Sequence, residues 1–359
     1  MPAKKIAVVG ASGVVGRALM DCLNREGEQV VGVSRRAPAD LKTNFVSLDL
    51  TDQKRCSEVA RSELAEVTHL VYTALYEKPG LIAGWNEADQ MQENLLMLRN
   101  LLEPMKKAAK LRHITLLQGT KAYGAHVGRM KIPGLESDPR HPHENFYWLQ
   151  QDYVTDFCMT TGASATIWRP QIIFGHALNA PMNMLNAIGV YAAIMKARGR
   201  PLAYPGGPPA ITEAIDADLL ARAIRFSLDN PDFANETFNI TNGDVFCWHD
   251  LWPDLACLFR MQTGEGSQQR LSDWIYGAEE EWQRIVKNNN LKSYSIREIA
   301  GDSFYYADAL FNAHNEFPPP PALVSTIKLR KTGFNECIDT LDMFEKWFEK
   351  LRLLKIIPT

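Results

Sequence analysis

Three glycines and two arginines are the first residues whose spacing could do chemistry. In Lys5 to Arg17, KIAVVGASGVVGR, the short β-branched run Ile6 to Val9 is followed at once by Gly10, Gly13 and Gly16. Val14, Val15, Ala18 and Leu19 then begin a helical pattern. Gly10 permits a tight turn out of the strand. Gly13, with Ser12 and Val14 beside it, lets the backbone approach a pyrophosphate, and Gly16 lets the new helix pack close to the sheet. The phosphate would sit at the positive N-terminus of that helix. The motif gains weight from its setting between a strand and a helix. At the end of the next strand, a fold that selects NAD places an acidic residue for the ribose 2′-hydroxyl. Ser34-Arg35-Arg36 stand there instead. Two guanidiniums suit a 2′-phosphate through bidentate, charge-assisted hydrogen bonds, so the expected cofactor is NADPH. A ligand-free glycine turn and a pair of solvated surface arginines are the blander alternatives.

These residues need a sheet to position them, and the first third of the chain alternates strands with helices. The pattern predicts a helix from about Val14 to Glu26, ended by Gly27, and a strand from Gln29 to Ser34. A third strand spans Asn44 to Leu50, with Asp49 placed to hydrogen-bond an adenine amino group and Leu50 next to it. A fourth runs from His69 to Ala74, where the small Thr73 and Ala74 would let a dinucleotide lie against the backbone. Glu77 to Asp89, with Gly80, Gly84 and Trp85, reads as a loop that could wall or cover a pocket. A helix follows from Glu93 to Ala109, then a fifth strand from His113 to Leu117. Chemistry in such folds sits at the carboxyl edge of the sheet, just past Leu117.

Farther on, Arg169 to Phe174 reads as a strand, Ala180-Pro181-Met182-Asn183 as the start of a helix to about Arg198, and Leu219 to Leu228 as an amphipathic helix. Phe238 to Thr241 is a further expected strand and Trp248 to Arg260 a helix. Gln262 to Pro321 reads as irregular, and its aromatics (Trp274, Tyr276, Trp282, Tyr294, Phe304, Tyr305, Tyr306) suit the core, with a pocket role for some of them as the alternative. Met343 to Leu354 is amphipathic with mixed charges, and is expected to dock on its own chain rather than a membrane.

Composition sets the boundaries. The 359 residues, 46% hydrophobic and 23% charged, suffice for a large core. A net charge of −3 gives no reason to expect nucleic acid or an anionic membrane surface. No apolar run approaches the ~20 residues of a membrane span, and Met1 to Lys5 does not read as a signal peptide. Cys22, Cys56, Cys158, Cys247, Cys257 and Cys337 form no Cys-x-x-Cys pair, which suits free thiols in a reducing cytoplasm. His141-Pro142-His143, in a proline-rich loop, reads as solvent-facing, and no metal is expected.

Gly-x-x-Gly-x-x-Gly is the form found in extended short-chain dehydrogenases, which this chain resembles. That family follows its fifth strand with a Ser or Thr and later supplies a Tyr-x-x-x-Lys, in which the lysine lowers the phenol's pKa. Two departures stand out. With Tyr123-Gly124 aligned, Gly119 falls at the serine's place. In Tyr147-Trp148-Leu149-Gln150-Gln151 an amide stands where the lysine belongs. A different lysine, Lys121, follows strand five. Lys121 together with Asn145-Phe146-Tyr147 resembles the progesterone 5β-reductase and iridoid synthase-like subfamily. Val33 to Arg36, Asn94 to Asn100 (NLLMLRN), Trp168 to Gly175 (WRPQIIFG), Asn239 to Trp248 (NITNGDVFCW) and Lys355-Ile356-Ile357-Pro358 extend the likeness along the chain. Trp148, Gln151 and Asp152 replace a second tyrosine and a Glu-Asp. Leu75 stands where plant steroid reductases carry a pocket tryptophan, and Glu77 to Asp89 matches poorly.

The resemblance implies an α/β fold: a Rossmann-type doubly wound parallel sheet with a smaller, mainly C-terminal substrate-binding region. Residues 1–175, with sheet elements from about 210–245, would bind the cofactor, and 176–359 would mainly bind substrate. Tyr147 and Lys121 become the catalytic pair, the lysine supporting tyrosinate character. Tyr147 also lies against the cofactor, Pro170 and Ile173 flank its carboxamide, and Ala180, Pro181 and Met182 help close the site. The implied reaction is NADPH-dependent reduction of the activated C=C bond of a small enone or enal, with a homodimer as an option. Two other classes stay open: a carbonyl reductase or sugar epimerase/dehydratase, and a non-catalytic NADPH sensor.

Overall fold

Fully buried β-branched runs need hydrogen-bonded neighbours on both sides, and the computed structural model, which describes residues 4–38, 44–108 and 110–359, supplies them as one parallel sheet. Its first five strands are β1 (Lys5–Val9), β2 (Gln29–Ser34), β3 (Asn44–Ser47), β4 (His69–Tyr72) and β5 (His113–Leu117). Then come β6 (Ser164–Pro170), β7 (Ile172–Phe174), β8 (Leu202–Ala203), β9 (Ile211–Thr212), β10 (Ala214–Asp216), β11 (Glu236–Ile240), β12 (Phe246–Cys247) and β13 (Thr263–Gly264). Seven of these make the main sheet in the order β11-β6-β5-β4-β1-β2-β3. The order reverses beside β1, so β1 and β4 end at the crevice where doubly wound folds take ligands.

Helices α1 (Val14–Arg25), α5 (Met184–Ala197), α6 (Ala217–Ser227) and α12 (Thr340–Leu353) share one core cluster. Helices α2 (Gln53–Arg61), α3 (Ala88–Ala108) and α4 (Phe146–Thr161) cover the other face. As expected, the C-terminal helix docks on its own chain. It buries Met343, Phe344, Trp347, Phe348 and Leu351, each worth about 1.5–3 kcal/mol of transfer free energy. Among the described residues no helix is long and apolar enough to cross a membrane.

Several boundaries differ from the sequence expectation. The strand expected from Arg169 begins at Ser164 and breaks at Gln171, whose amide N–H bonds the Ile240 carbonyl at 3.2 Å. Beyond the break β7 pairs β10, outside the main sheet. Ala180 to Asn183 is loop, because the Asn183 side chain turns back onto the Gly175 and Ala177 carbonyls, and the helix starts at Met184. Strands three and four stop at Ser47 and Tyr72. Helix α3 starts earlier, at Ala88; its expected end, Ala109, and residues Met1 to Ala3 lie outside the described residues.

The stretch from Gln262 to Pro321 is not irregular. It holds α8 (Glu279–Asn288), α9 (Ile296–Ala300) and α10 (Ser303–Leu310), after α7 (Trp248–Leu258) and before α11 (Ile327–Lys331). Each is short, and α9 begins with a Ser295–Glu298 capping box.

Candidate active site

The phosphate end of the crevice is built by close approach. Gly10 has φ +90, and a Cβ there would stand 2.6 Å from the Thr73 hydroxyl and 2.7 Å from the Ala74 nitrogen. A Cβ at Gly16 would collide with the Gly10 carbonyl. The Thr73 hydroxyl donates to the Val9 carbonyl at 2.8 Å, fixing the β1 and β4 ends together. Gly13 is the N-cap of α1, with no side-chain cap and no acidic residue in the first turn. The first amides of α1 therefore face an open positive end beside exposed Ser12 and half-exposed Val14. That cradle fits a pyrophosphate.

Arg35 and Arg36 extend from the end of β2 with exposed side chains. Their backbone is fixed: the Ser34 hydroxyl donates to the Arg36 carbonyl and the Ser47 hydroxyl to the Arg35 carbonyl, each at 3.0 Å. Asp49, past the end of β3, accepts from the Thr51 amide and hydroxyl at 3.0 and 2.8 Å, which holds its carboxyl below the usual carboxylate range. The adjoining Leu50 carbonyl accepts from Asn100 Nδ2 at 2.9 Å, so the α3 asparagine fixes this edge.

At the other end, past Leu117, Asn145 sets the two candidate catalytic residues. Its Oδ1 caps α4 by accepting from the Tyr147 amide at 3.0 Å, and its Nδ2 donates to the Lys121 carbonyl at 3.1 Å. Gly119 lies beside them: a Cβ there would be 3.3 Å from the Tyr147 hydroxyl and 3.5 Å from the Pro170 carbonyl. Half-exposed Ile173 follows on β7. In the loop before α5, the Ala180 carbonyl accepts from the Ser303 hydroxyl at 2.7 Å, and Pro181 and Met182 stay half-exposed.

Gln151, at the place of a Tyr-x-x-x-Lys lysine, is committed elsewhere. Its Oε1 accepts from Gln118 Nε2 at 3.0 Å, while Gln118 Oε1 accepts from buried Arg169 Nε at 3.0 Å. The Arg169 guanidinium in turn covers the Tyr123 and Trp148 rings at 5.0 and 5.5 Å.

Three residues that sequence reasoning gave no individual role meet at this end, Trp85 from the loop expected to wall a pocket among them. Trp85 turns its ring under Lys121, whose Nζ stands 3.3 Å from the ring centroid. Glu77 acts electrostatically on both Lys121 and Tyr147, and Tyr306 reaches in from α10, 6.4 Å from the Trp85 ring. Burial pushes the Tyr147 phenol above its ordinary value, and the neighbouring Glu77 carboxyl and Tyr306 phenol push the same way. The expected tyrosinate character is thereby corrected: the phenol is held protonated, as a donor. Burial pulls Lys121 down to about 7, against the pull of Glu77. The signal for this cluster was the Glu77 to Asp89 loop, read as a possible pocket wall; nothing in the spacing joined it to Lys121 or Tyr306.

The histidine pair is less exposed than its loop suggested. His141 and His143 are half-buried, their Nδ1 atoms 2.8 Å apart, and His126 stacks edge-on at 4.9 Å from the His143 ring. No described cluster of three or more His, Cys, Asp or Glu side chains could hold a metal.

Comparison with known proteins places this geometry. The model of the NAD dependent epimerase/dehydratase family matches residues 6–241. The (S)-8-oxocitronellyl enol synthase of Antirrhinum majus is 32% identical, over 98% of this chain and 92% of that protein. The 3-oxo-Delta(4,5)-steroid 5-beta-reductase of Arabidopsis thaliana is 30% identical over the same shares. Among solved structures, the UDP-glucose 4-epimerase of Thermus thermophilus in complex with NAD superposes with a TM-score of 0.67. It covers 97% of this chain and 99% of its own, at 15% identity, a likeness of fold alone. The chain belongs to the NAD dependent epimerase/dehydratase family and, within it, to the progesterone 5β-reductase and iridoid synthase-like subfamily.

Proposed function

We propose that this protein is an oxidoreductase that reduces the activated C=C bond of an enone or enal, using NADPH. The observation that carries the reading is bare Gly119 beside the Tyr147 hydroxyl, where a Cβ would lie 3.3 Å away, so that the phenol stands without a serine partner. Reduction of a simple ketone creates an alkoxide that must be protonated as it forms, and a serine–tyrosine pair usually holds that oxygen. Here the second hydroxyl is missing. In 1,4-reduction the charge spreads into an enolate, whose oxygen needs a fixed donor but no immediate proton.

When bound, NADPH would supply a hydride from C4 for the substrate's β-carbon. The α1 amides and Gly10 to Gly16 would hold the cofactor's pyrophosphate, and Arg35 and Arg36 its 2′-phosphate. Tyr147 donates to the substrate's carbonyl oxygen, and the Lys121 ammonium adds positive potential to the same region. Gly119 leaves room for that oxygen beside the phenol. The α-carbon takes its proton from solvent. The names of the two relatives, an enol synthase and a 5β-reductase, support the same reading. Six unpaired cysteines support a cytoplasmic setting.

The test is product analysis with 2-cyclohexen-1-one and NADPH deuterated at C4. Deuterium at the β-carbon with the carbonyl intact is the expected result. An allylic alcohol labelled at the carbinol carbon would make the protein a carbonyl reductase and overturn the reading.

A further inference from the structure

The loop between β4 and α3 matches the subfamily poorly in sequence, yet it is firmly built around one carboxylate. At its start the Tyr76 amide donates to Asn94 Oδ1, and Asn94 Nδ2 donates back to the Tyr76 carbonyl, each at 2.9 Å. The Lys78 amide donates to Gln90 Oε1 at 2.9 Å, and Gln90 Nε2 donates to Glu77 Oε2 at 2.7 Å. Gln90 is itself only 1% exposed, so it fixes the Glu77 side chain from within α3. Gly84 leaves no space for any side chain, because a Cβ there would strike Gln90 Oε1. Farther along, Lys78 pairs with Glu87 and Asp89, and the Gly80 amide donates to Asp302 Oδ2 at 3.3 Å.

This scaffold presents two groups to Lys121. Trp85 offers its ring face 3.3 Å from Nζ. Glu77 turns its other oxygen, Oε1, inward, buried beside the Trp85 Nε1–H; burial raises this carboxyl, and the Lys121 charge, Gln90 and Trp85 pull it back down. A buried ammonium needs a counter-charge to stay protonated. We propose that Glu77 is that counter-ion, a positioning residue that keeps the Lys121 ammonium charged and seated on Trp85, and through it sets the potential around Tyr147.

The other groups facing Lys121 leave the task to Glu77. Tyr147 from α4 and Tyr306 from α10 are phenols raised by burial and uncharged near neutrality. His126 is drawn down to about 4 by burial and by Lys121 itself, so it is neutral there too, and His141 and His143 stack behind it. The Lys121 charge is present below its midpoint and lost above it. Removing Glu77 moves that midpoint further down, so neutral pH would find Lys121 largely uncharged.

The experiment follows the Lys121 Nζ resonance in full-length protein labelled with 15N-lysine, assigned by Lys121→Arg and titrated across neutral pH. Glu77→Gln keeps the size of the side chain and its bond to Gln90. It should lower the Lys121 midpoint by about one pH unit or more, the scale of a nearby opposite charge. Glu77→Asp, which withdraws the carboxylate by one methylene, should lower it by less, and gives the same test if Glu77→Gln fails to fold. The alkaline limb of kcat for enone reduction should move with the midpoint, leaving KM for NADPH unchanged. An unmoved Lys121 midpoint in both variants overturns the assignment. The kinetic arm rests on the enone-reductase reading and the titration does not. A midpoint that falls in a protein without enone turnover would keep the counter-ion and sink that reading, and an unmoved midpoint with normal turnover would do the reverse.

Discussion

Gly119→Ala perturbs the proposed chemistry by one methyl group and almost nothing else. Gly119 sits at φ 177 and ψ −168, extended backbone that alanine adopts freely. The new Cβ would lie 3.3 Å from the Tyr147 hydroxyl and 3.5 Å from the Pro170 carbonyl. Non-bonded contacts of carbon settle near 3.5–4.0 Å, so the phenol must retreat by a few tenths of an ångström. The methyl also fills the place where a substrate oxygen would approach, and an O–H···O bond tolerates only about 2.5–3.0 Å. Complete loss of one such donor costs ~10²–10³ in rate. Partial displacement should cost about tenfold or somewhat more in kcat/KM for 2-cyclohexen-1-one, or about 1.4 kcal/mol. Stability should hardly change, since about 0.4–1 kcal/mol gained by restricting the unfolded chain offsets the crowding. The assay is NADPH absorbance against enone concentration, with thermal melting as the folding control. Gly119→Ser places a hydroxyl at the same spot and should raise the share of allylic alcohol in the product. Wild-type kcat/KM in Gly119→Ala would refute the placing of the substrate oxygen between Gly119 and Tyr147.

Tyr147→Phe keeps the edge-on contact with Phe146, whose ring centroid is 4.5 Å away, and removes only the donor. Turnover should fall ~10²–10³-fold, with NADPH affinity measured by fluorescence titration nearly unchanged; full activity would end its catalytic role. Arg35→Ala/Arg36→Ala removes two exposed guanidiniums while the serine bonds to their carbonyls hold the loop. Charge-assisted bonds contribute about 1.5–3 kcal/mol each, so the ratio of NADH to NADPH dissociation constants should drop at least tenfold, and an unchanged ratio would move the 2′-phosphate elsewhere.

The sequence by itself determined the parts of this protein that depend on local backbone demands. Ile6 to Val9 and His113 to Leu117 are runs that only a buried strand satisfies, and both form as read. Gly10 and Gly16 announce close approach, because no other residue fits where a Cβ would meet the backbone of the neighbouring turn. Asn145 stood out only through its likeness to the Asn-Phe-Tyr motif; that it caps α4 by accepting from the Tyr147 amide came from the structure. Short helices were harder. Helices α8 to α10 have few turns each and owe their stability to tertiary packing of Trp282, Ile285, Ile299 and Phe304, which local periodicity does not report. The charge state of the site belonged wholly to the tertiary structure. The sequence put Lys121 and Tyr147 forward as candidates, but whether the phenol is ionised depends on burial and on groups from distant segments. Glu77 and Trp85 come from the loop after β4 and Tyr306 from α10, and no spacing in the chain says that they meet. Desolvation and Coulomb forces act through space, so their sign at Tyr147 is settled only when the fold brings those segments together.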